Sequence, residues 1–275
     1  YELTEVMRQH QASGILINAT QVRERIREES LNDLVFDLNF PDIFSPNDPY
    51  DIQDAIHNAF TAGEDNAVFI VRSNKRANLY NQQIRISVLG LDDEIAAGDM
   101  IMVVKNNYFW LDDSEHVGFI ANGDICELLE IFRYTDLHGF RFAEVKMRLL
   151  DYPDQPPFET VILLDTLHSE TASLSQEESY RLYQSVAKDY AHERDRQKRL
   201  AAIKNDKYFN ALQIKFAYAM TCHKTQGGQW PVVFVEQPYL PDGEDISYLR
   251  WLYTALTRAQ EKLYLIGFQE KYFGH

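Results

Sequence analysis

Two cysteines in 275 residues, Cys126 and Cys222, are too few for a disulfide scaffold and stand at no metal-ligand spacing. Neither metal nor disulfide is expected, and the pattern fits a reducing, cytoplasmic interior. Long apolar runs are also missing. A membrane helix needs about 18 consecutive apolar residues, and the opening "YELTEVMRQH" lacks the layout of a signal peptide. A soluble protein with no membrane partner is expected. A first residue of Tyr rather than Met reads as a piece of a longer chain. Positive charge is scarce: 27 Lys and Arg stand against 42 Asp and Glu, for a net charge of −15. That balance argues against a protein that coats nucleic acid, since such binders neutralise phosphates with Lys and Arg. Finally, none of the 12 glycines is followed by Lys. The phosphate-cradling loop G-x-x-x-x-G-K-[ST] is therefore absent, and ATP hydrolysis by this chain alone is not expected.

What is present is enough for a large core: 45% of the residues are apolar. Near the start, "SGILINATQVRERIREES" spaces Ile15, Leu16, Val22 and Ile26 as a helix does, with Ser13 in position to cap it. A Pro/Asp/Asn-rich loop from about 39 to 49 precedes the helical "DIQDAIHNAF". "AVFIVRSN" (67 to 74) is an apolar run that stops abruptly at polar residues, as a buried parallel strand does where it enters a functional loop. "KRANLYNQQIRISVL" reads as the crossover helix. After Gly90 the texture changes to short strands separated by turns, among them Asn122-Gly123-Asp124, which suggests a small antiparallel barrel. A helix resumes from Ser173 to about Asn205 with the stripe Leu182, Val186, Tyr190. "ERDRQKRLAAIKNDK" (193 to 207) carries six basic residues against three acidic ones, so charge sign varies along the chain. Strand "IKFAYAMT", the loop "TCHKTQGGQW", strand "VVFVEQ", helix "DISYLRWLYTALTRAQ" and strand "KLYLIG" complete the chain.

In an open parallel sheet, ligands collect where the carboxyl ends of strands run into loops. "RSNKRAN", "TCHKTQGG" and "YTALTRAQ" are three polar clusters expected to converge on one such edge. Taken singly each has an ordinary reading: His223 and Lys224 as exposed residues, Gly227 and Gly228 as turn formers, Arg258 as a solvated helix residue, Asn74 as a cap. A Cys222–His223 dyad is rejected, because neighbouring side chains in extended chain point to opposite faces.

Together, "LTEVMRQ", "VRSNKRAN", "GDMIMVVKNN…NGD", "AYAMTCHKTQGGQW" and "LYTALTRAQEKLYLIG" closely resemble the carboxyl-terminal half of superfamily 1 DNA helicases of the RecD-like type, often called exodeoxyribonuclease V alpha subunits. The resemblance covers nearly the whole chain in order. It implies a RecA-like α/β lobe (1–88 and 213–275), an inserted SH3-like β-barrel (89–170) and a helical return connection (171–212). It also implies ATP with Mg²⁺ in the parent chain, held by an absent N-terminal RecA-like lobe, with single-stranded DNA crossing both lobes and further helicase or nuclease subunits as possible partners. Arg8 and Arg258 match arginines that reach the γ-phosphate. Thr221, His223 and Lys224 match a motif that touches DNA, and Gln226 and Gly227 its nucleotide side. Gln229 stands where related helicases often have a Glu near the ribose, and an amide can still bond a ribose hydroxyl. Ser73, Asn74 and Asn78 match a DNA-facing loop.

"SVLGLDDE" (87 to 94) imitates a metal-binding strand end but reads as the polar lead-in to the barrel. Tyr108, Phe109 and Trp110 read equally as base-stacking surfaces or as barrel core. No carboxylate cluster suggests a nuclease site. A non-catalytic nucleic-acid scaffold and a motor lobe acting on RNA stay open beside the DNA motor.

Overall fold

A computed structural model describes residues 13–30, 34–63, 66–111 and 117–274. Tertiary contacts divide the chain into two compact units, 1–90 with 218–275, and 91–217.

The first unit is RecA-like, a parallel sheet with helices. Helix α1 (Gly14–Glu28) starts at Ser13, whose hydroxyl accepts from the Leu16 amide, as expected. The Pro/Asp/Asn-rich loop contains a strand the sequence did not disclose, β1 (Ile43–Phe44), before Asp48 caps α2 (Pro49–Thr61). Then come β2 (Ala67–Val71), wholly buried, and α3 (Asn74–Gln83), which ends in a widened π turn over Ile84–Val88. The remaining elements of this unit are β8 (Ala219–Thr221), β9 (Trp230–Glu236), α6 (Ile246–Leu256) and β10 (Ala259–Ile266).

The sheet order is β1-β10-β9-β2-β8, and every pairing is parallel. Phe44, Tyr264, Phe234 and Phe69 lie in register across four strands. Their rings stack at 4.9, 4.7 and 5.4 Å, and Phe60 of α2 and Tyr80 of α3 stack onto the same ladder. Such ring pairs add to the burial that holds the strands together.

The second unit is a closed barrel of five strands in the order β3-β4-β5-β6-β7. These are β3 (Met100–Val103), β4 (Ile125–Leu137), β5 (Phe140–Leu149), β6 (Phe158–Leu163) and β7 (Leu212–Phe216). Gly123, with φ of 109°, makes the expected turn into β4. The expected antiparallel barrel is in fact mixed, because β6 and β7 run parallel. A parallel pair needs a long crossover, and the crossover here is helical. The single helix expected from 173 to 205 is two, α4 (Gln176–Asp189) and α5 (Arg196–Lys204). Tyr190 ends the first and Asp195 caps the second. Leu182, Val186 and Ile203 pack these helices onto Phe140, Phe142, Val161 and Leu163.

The run "IKFAYAMT", read as one strand, also divides. Ile214 to Phe216 belong to β7, and Ala219 to Thr221 belong to β8 in the other unit. The polar lead-in "SVLGLDDE" forms no strand, and Glu94 takes two 2.7 Å hydrogen bonds from the Arg141 guanidinium.

Candidate functional site

β2 is apolar up to Val71, then gives way to Arg72 and Ser73. Ser73, not Asn74, is the cap of α3, its hydroxyl accepting from the Arg76 amide. Asn74 is therefore the first helical residue, and Asn78 lies one turn on, on the same face. β8 ends at Thr221, level with Val71, which brings Arg72, Ser73 and His223 to the carboxyl edge of the sheet. Among the described residues β8 is the edge strand, with no second strand beside it. Asn81 of α3 stands in for one, donating to the Ala219 carbonyl at 2.8 Å and accepting from its amide at 2.7 Å.

From Thr221 the chain makes a 3-10 turn over Cys222–Thr225. Thr225 is buried and donates back to the Cys222 carbonyl at 2.7 Å. Gly227 takes φ of 92°, a conformation that side chains disfavour. A Cβ on Gly228 would lie 2.5 Å from the Trp230 ring. The loop then enters β9 at the opposite edge of the sheet. Ala67, at the start of β2, is level with Val232, so the loop descends at least four residue rises, about 13 Å.

Arg258 joins α6 to β10 at that lower, amino edge. Its Nη1 donates to the carbonyls of Gly228 at 3.2 Å and Thr225 at 3.4 Å, and its Nε donates to Thr254 at 3.0 Å. Its own carbonyl accepts from the Trp230 amide at 3.0 Å. Side chain and backbone thus clamp the loop to α6. The expectation that all three polar clusters share one edge is corrected. "RSN" and His223 stand at the carboxyl edge, whereas Gly228, Gln229 and Arg258 stand at the amino edge, and the loop connects them.

Between the loop and α6 lies a cavity of about 310 Å³ lined by Arg72, His223, Gln226, Ser247, Arg250 and Thr254, with Cys222 and Trp251 in its wall. His223 and Gln226 are exposed to it. Gln229 does not line it and accepts a 3.3 Å hydrogen bond from Gln260. Lys224 is half-buried, and burial lowers its ammonium pKa. Cys222 is buried with its thiol toward the Trp251 carbonyl, and burial pushes it up to about 11. The dyad with His223 is absent, although the segment is a helical turn rather than extended chain. Arg8 lies outside the described residues. Among the described residues no three His, Cys, Asp or Glu side chains converge as metal ligands, and no helix is long and apolar enough to cross a membrane.

Two arginines in this cavity were not singled out from the sequence. Arg72 sits inside the quoted "VRSNKRAN" and carried a usable signal as the first polar residue after an apolar strand. Arg250 sits two turns before Arg258 on α6, and no local pattern marks it. Neither side chain makes an ion pair or hydrogen bond among the described residues.

No curated protein matches this chain in sequence. Among solved structures, a Pif1 helicase from Candida albicans is similar over 98% of this chain and 56% of its own, at 12% identity and TM-score 0.44. A Bacteroides Pif1 helicase in complex with ADP-AlF3 and ssDNA is similar over 99% and 53%, at 13% identity and TM-score 0.47. The chain spans about half the length of each. The segment that holds the descending loop, the clamping arginine and the strands on either side, residues 216–266, matches the UvrD-like helicase C-terminal domain.

Proposed function

We propose that this chain is the C-terminal motor lobe of an ATP-dependent DNA helicase that moves 5′ to 3′ along a single strand. One observation carries the reading: in a segment matching a helicase C-terminal domain, a single loop runs from the carboxyl edge of the sheet to the amino edge. At the upper edge, Thr221, His223 and Lys224, with Ser73, Asn74 and Asn78 nearby, contact the strand through phosphate and sugar. Such contacts carry no sequence information, as a translocating motor requires. Further along the loop, Gln226, Gly227 and Gln229 serve the nucleotide side, and at the lower edge Arg258 delivers fixed positive charge to the γ-phosphate together with Arg8.

ATP and its Mg²⁺ are held by an N-terminal RecA-like lobe. The lack of a phosphate-cradling loop in this chain supports placing them there. An arginine suits its task because its planar fork places donors on the equatorial oxygens of the transferring phosphoryl group, which a lysine does not reproduce. Closing of the lobes on ATP would tilt the loop at its lower end and shift the strand contacts at its upper end.

In the full-length protein, Arg258→Ala should lower DNA-stimulated ATP turnover by about 10³-fold or more while nucleotide affinity stays within a few-fold. Arg258→Lys should fail similarly. Turnover equal to the parent in either variant would sink the assignment.

A further inference from the structure

The basic stretch at 193 to 207 plays no part in the reading above. The structure makes its core an exposed nine-residue helix, α5, bearing Arg196, Lys198, Arg199 and Lys204 and no acidic residue. Through their side chains these four, and Arg194 before them, form no ion pair or hydrogen bond among the described residues. In a chain of net charge −15, this helix is a local concentration of positive charge.

Lys204, at the end of α5, lines a groove of about 870 Å³ whose other walls include Lys105, Tyr108, Tyr180, Tyr183 and Phe209. The remaining cations follow within about 12 Å along the helix axis. Tyr108 is 70% exposed and Tyr180 is 60% exposed. Tyr108 is held by stacking on Phe119 at 4.9 Å, so one face of its ring is supported, and no other ring among the described residues stacks on it. Of the trio read from sequence, Trp110 instead packs into the cluster under α4 and donates to the Asn210 carbonyl at 2.7 Å.

Of the five side-chain amides that line the groove, four are engaged in hydrogen bonds and Asn205 is exposed. Asn106 bonds Tyr108 and the Asn122 amide, Asn107 bonds Asn210, Phe109 and Trp110, and Asn210 bonds Lys204 and Asp206. Nearby carboxylates mostly accept hydrogen bonds: Glu178 closes the cap of α4, Asp206 bonds Tyr190 and two backbone amides, and at the start of α5 Glu193 accepts from the Asp195 amide and Asp195 from the Gln197 and Lys198 amides, while Glu177 is exposed. Beside these carboxylates the groove and α5 present aromatic rings and ammonium and guanidinium groups, and Asn205 is the one groove amide left without a side-chain hydrogen bond among the described residues.

We propose that this groove and the cations that surround α5, of which Lys204 lines the groove, form a sequence-tolerant binding subsite for single-stranded nucleic acid, with phosphates on α5 and Lys105 and bases stacked on Tyr108 and Tyr180. The subsite goes beyond the motor reading and rests on other residues.

The test is fluorescence anisotropy of a labelled oligothymidylate with the 275-residue chain, across a series of salt concentrations. Lys198→Glu with Lys204→Glu, both at exposed positions, should weaken binding about tenfold or more. The exchange should also lower the salt slope by about 1.4, at about 0.7 per phosphate contact on a single strand. Tyr180→Ala should weaken it roughly 5- to 150-fold, the loss of one stacked base, and should leave binding of an abasic strand unchanged. Circular dichroism melts that match the parent will show that the variants fold. Parental affinity in both variants would overturn the proposal. So would displacement of the strand by polyglutamate as readily as by unlabelled oligothymidylate, which would make the groove an acidic-peptide site. His223→Ala separates the two ideas. If it abolishes binding while the groove variants bind normally, the motor reading stands and the subsite falls; the converse leaves the subsite and removes the DNA role of the loop.

Discussion

At the scale of single residues, the site depends on atoms that are missing as much as on those present. Gly228 has no room for a side chain, because the Trp230 ring occupies the position its Cβ would take, at 2.5 Å. Trp230 is itself buried at the start of β9 and cannot swing out without exposing the strand. Gly228→Ala should destabilise the fold by about 1 to 3 kcal/mol, the usual cost of overpacking. Gly63→Ala, which meets nothing within 4 Å, should change stability far less. Urea unfolding of the pair checks this, and equal midpoints would contradict the crowding. The glycine pair was legible in the sequence as a turn, and Gly227 fits that reading with its positive φ. The close approach at Gly228 was not legible, since it depends on a ring two positions later folding back over the chain.

At the scale of elements, the parts with strong patterns were readable and the junctions were not. Five consecutive buried apolar residues marked β2, and Ser13 marked the start of α1. "IKFAYAMT" hid a change of partner, because both β7 and β8 are buried and no glycine or proline separates them. The break between α4 and α5, from Tyr190 to Asp195, was hidden because it holds no glycine or proline and runs straight into the basic stretch. Asn81 shows what pattern reading misses altogether. Inside a crossover helix it looked unremarkable, yet it acts as the absent neighbour of an edge strand. Asn81→Leu would leave the amide and carbonyl of Ala219 unsatisfied in a site that is 1% exposed. The expected loss is about 2 to 4 kcal/mol, from two orphaned groups. Hydrogen exchange should localise it: amides of residues 219–221 should exchange faster, whereas those of β4 and β5 should not. Unchanged protection at 219–221 would show that the side chain is dispensable to the strand.

At the scale of the whole molecule, the acidic balance makes its few buried cations conspicuous. Lys215 of β7 is 7% exposed, donates to the Ser169 carbonyl, and burial pushes its pKa down from 10.5 to about 8. The sign of the linkage follows from that direction. Below pH 8 both folded and unfolded chains carry the charge, and the folded state bears the full penalty. Between pH 8 and 10.5 the unfolded chain holds a proton that the folded one has shed, so stability rises with pH. Lys215→Met should therefore be more stable than the parent at pH 7, by up to about 3 kcal/mol at 1.36 kcal/mol per pKa unit. The advantage should vanish by about pH 10.5. Denaturation of the two proteins across this range measures the difference, and a gap that does not close with pH would exclude the buried charge as its source.

The passage of the chain from β7 to β8, through Ala217 and Tyr218 alone, also governs how the molecule can be taken apart. Ala217 donates to the Met100 carbonyl in the barrel, while the Tyr218 carbonyl accepts from Phe69 in the sheet. A cut at residue 213, where pattern reading would put it, strips the barrel of its closing strand. Any transplant of the barrel must carry 212–217 with it, and any deletion of the barrel must rejoin Gly90 to Tyr218. Recombination between relatives would have to respect the same seam, which marks the heritable module more finely than its secondary structure does.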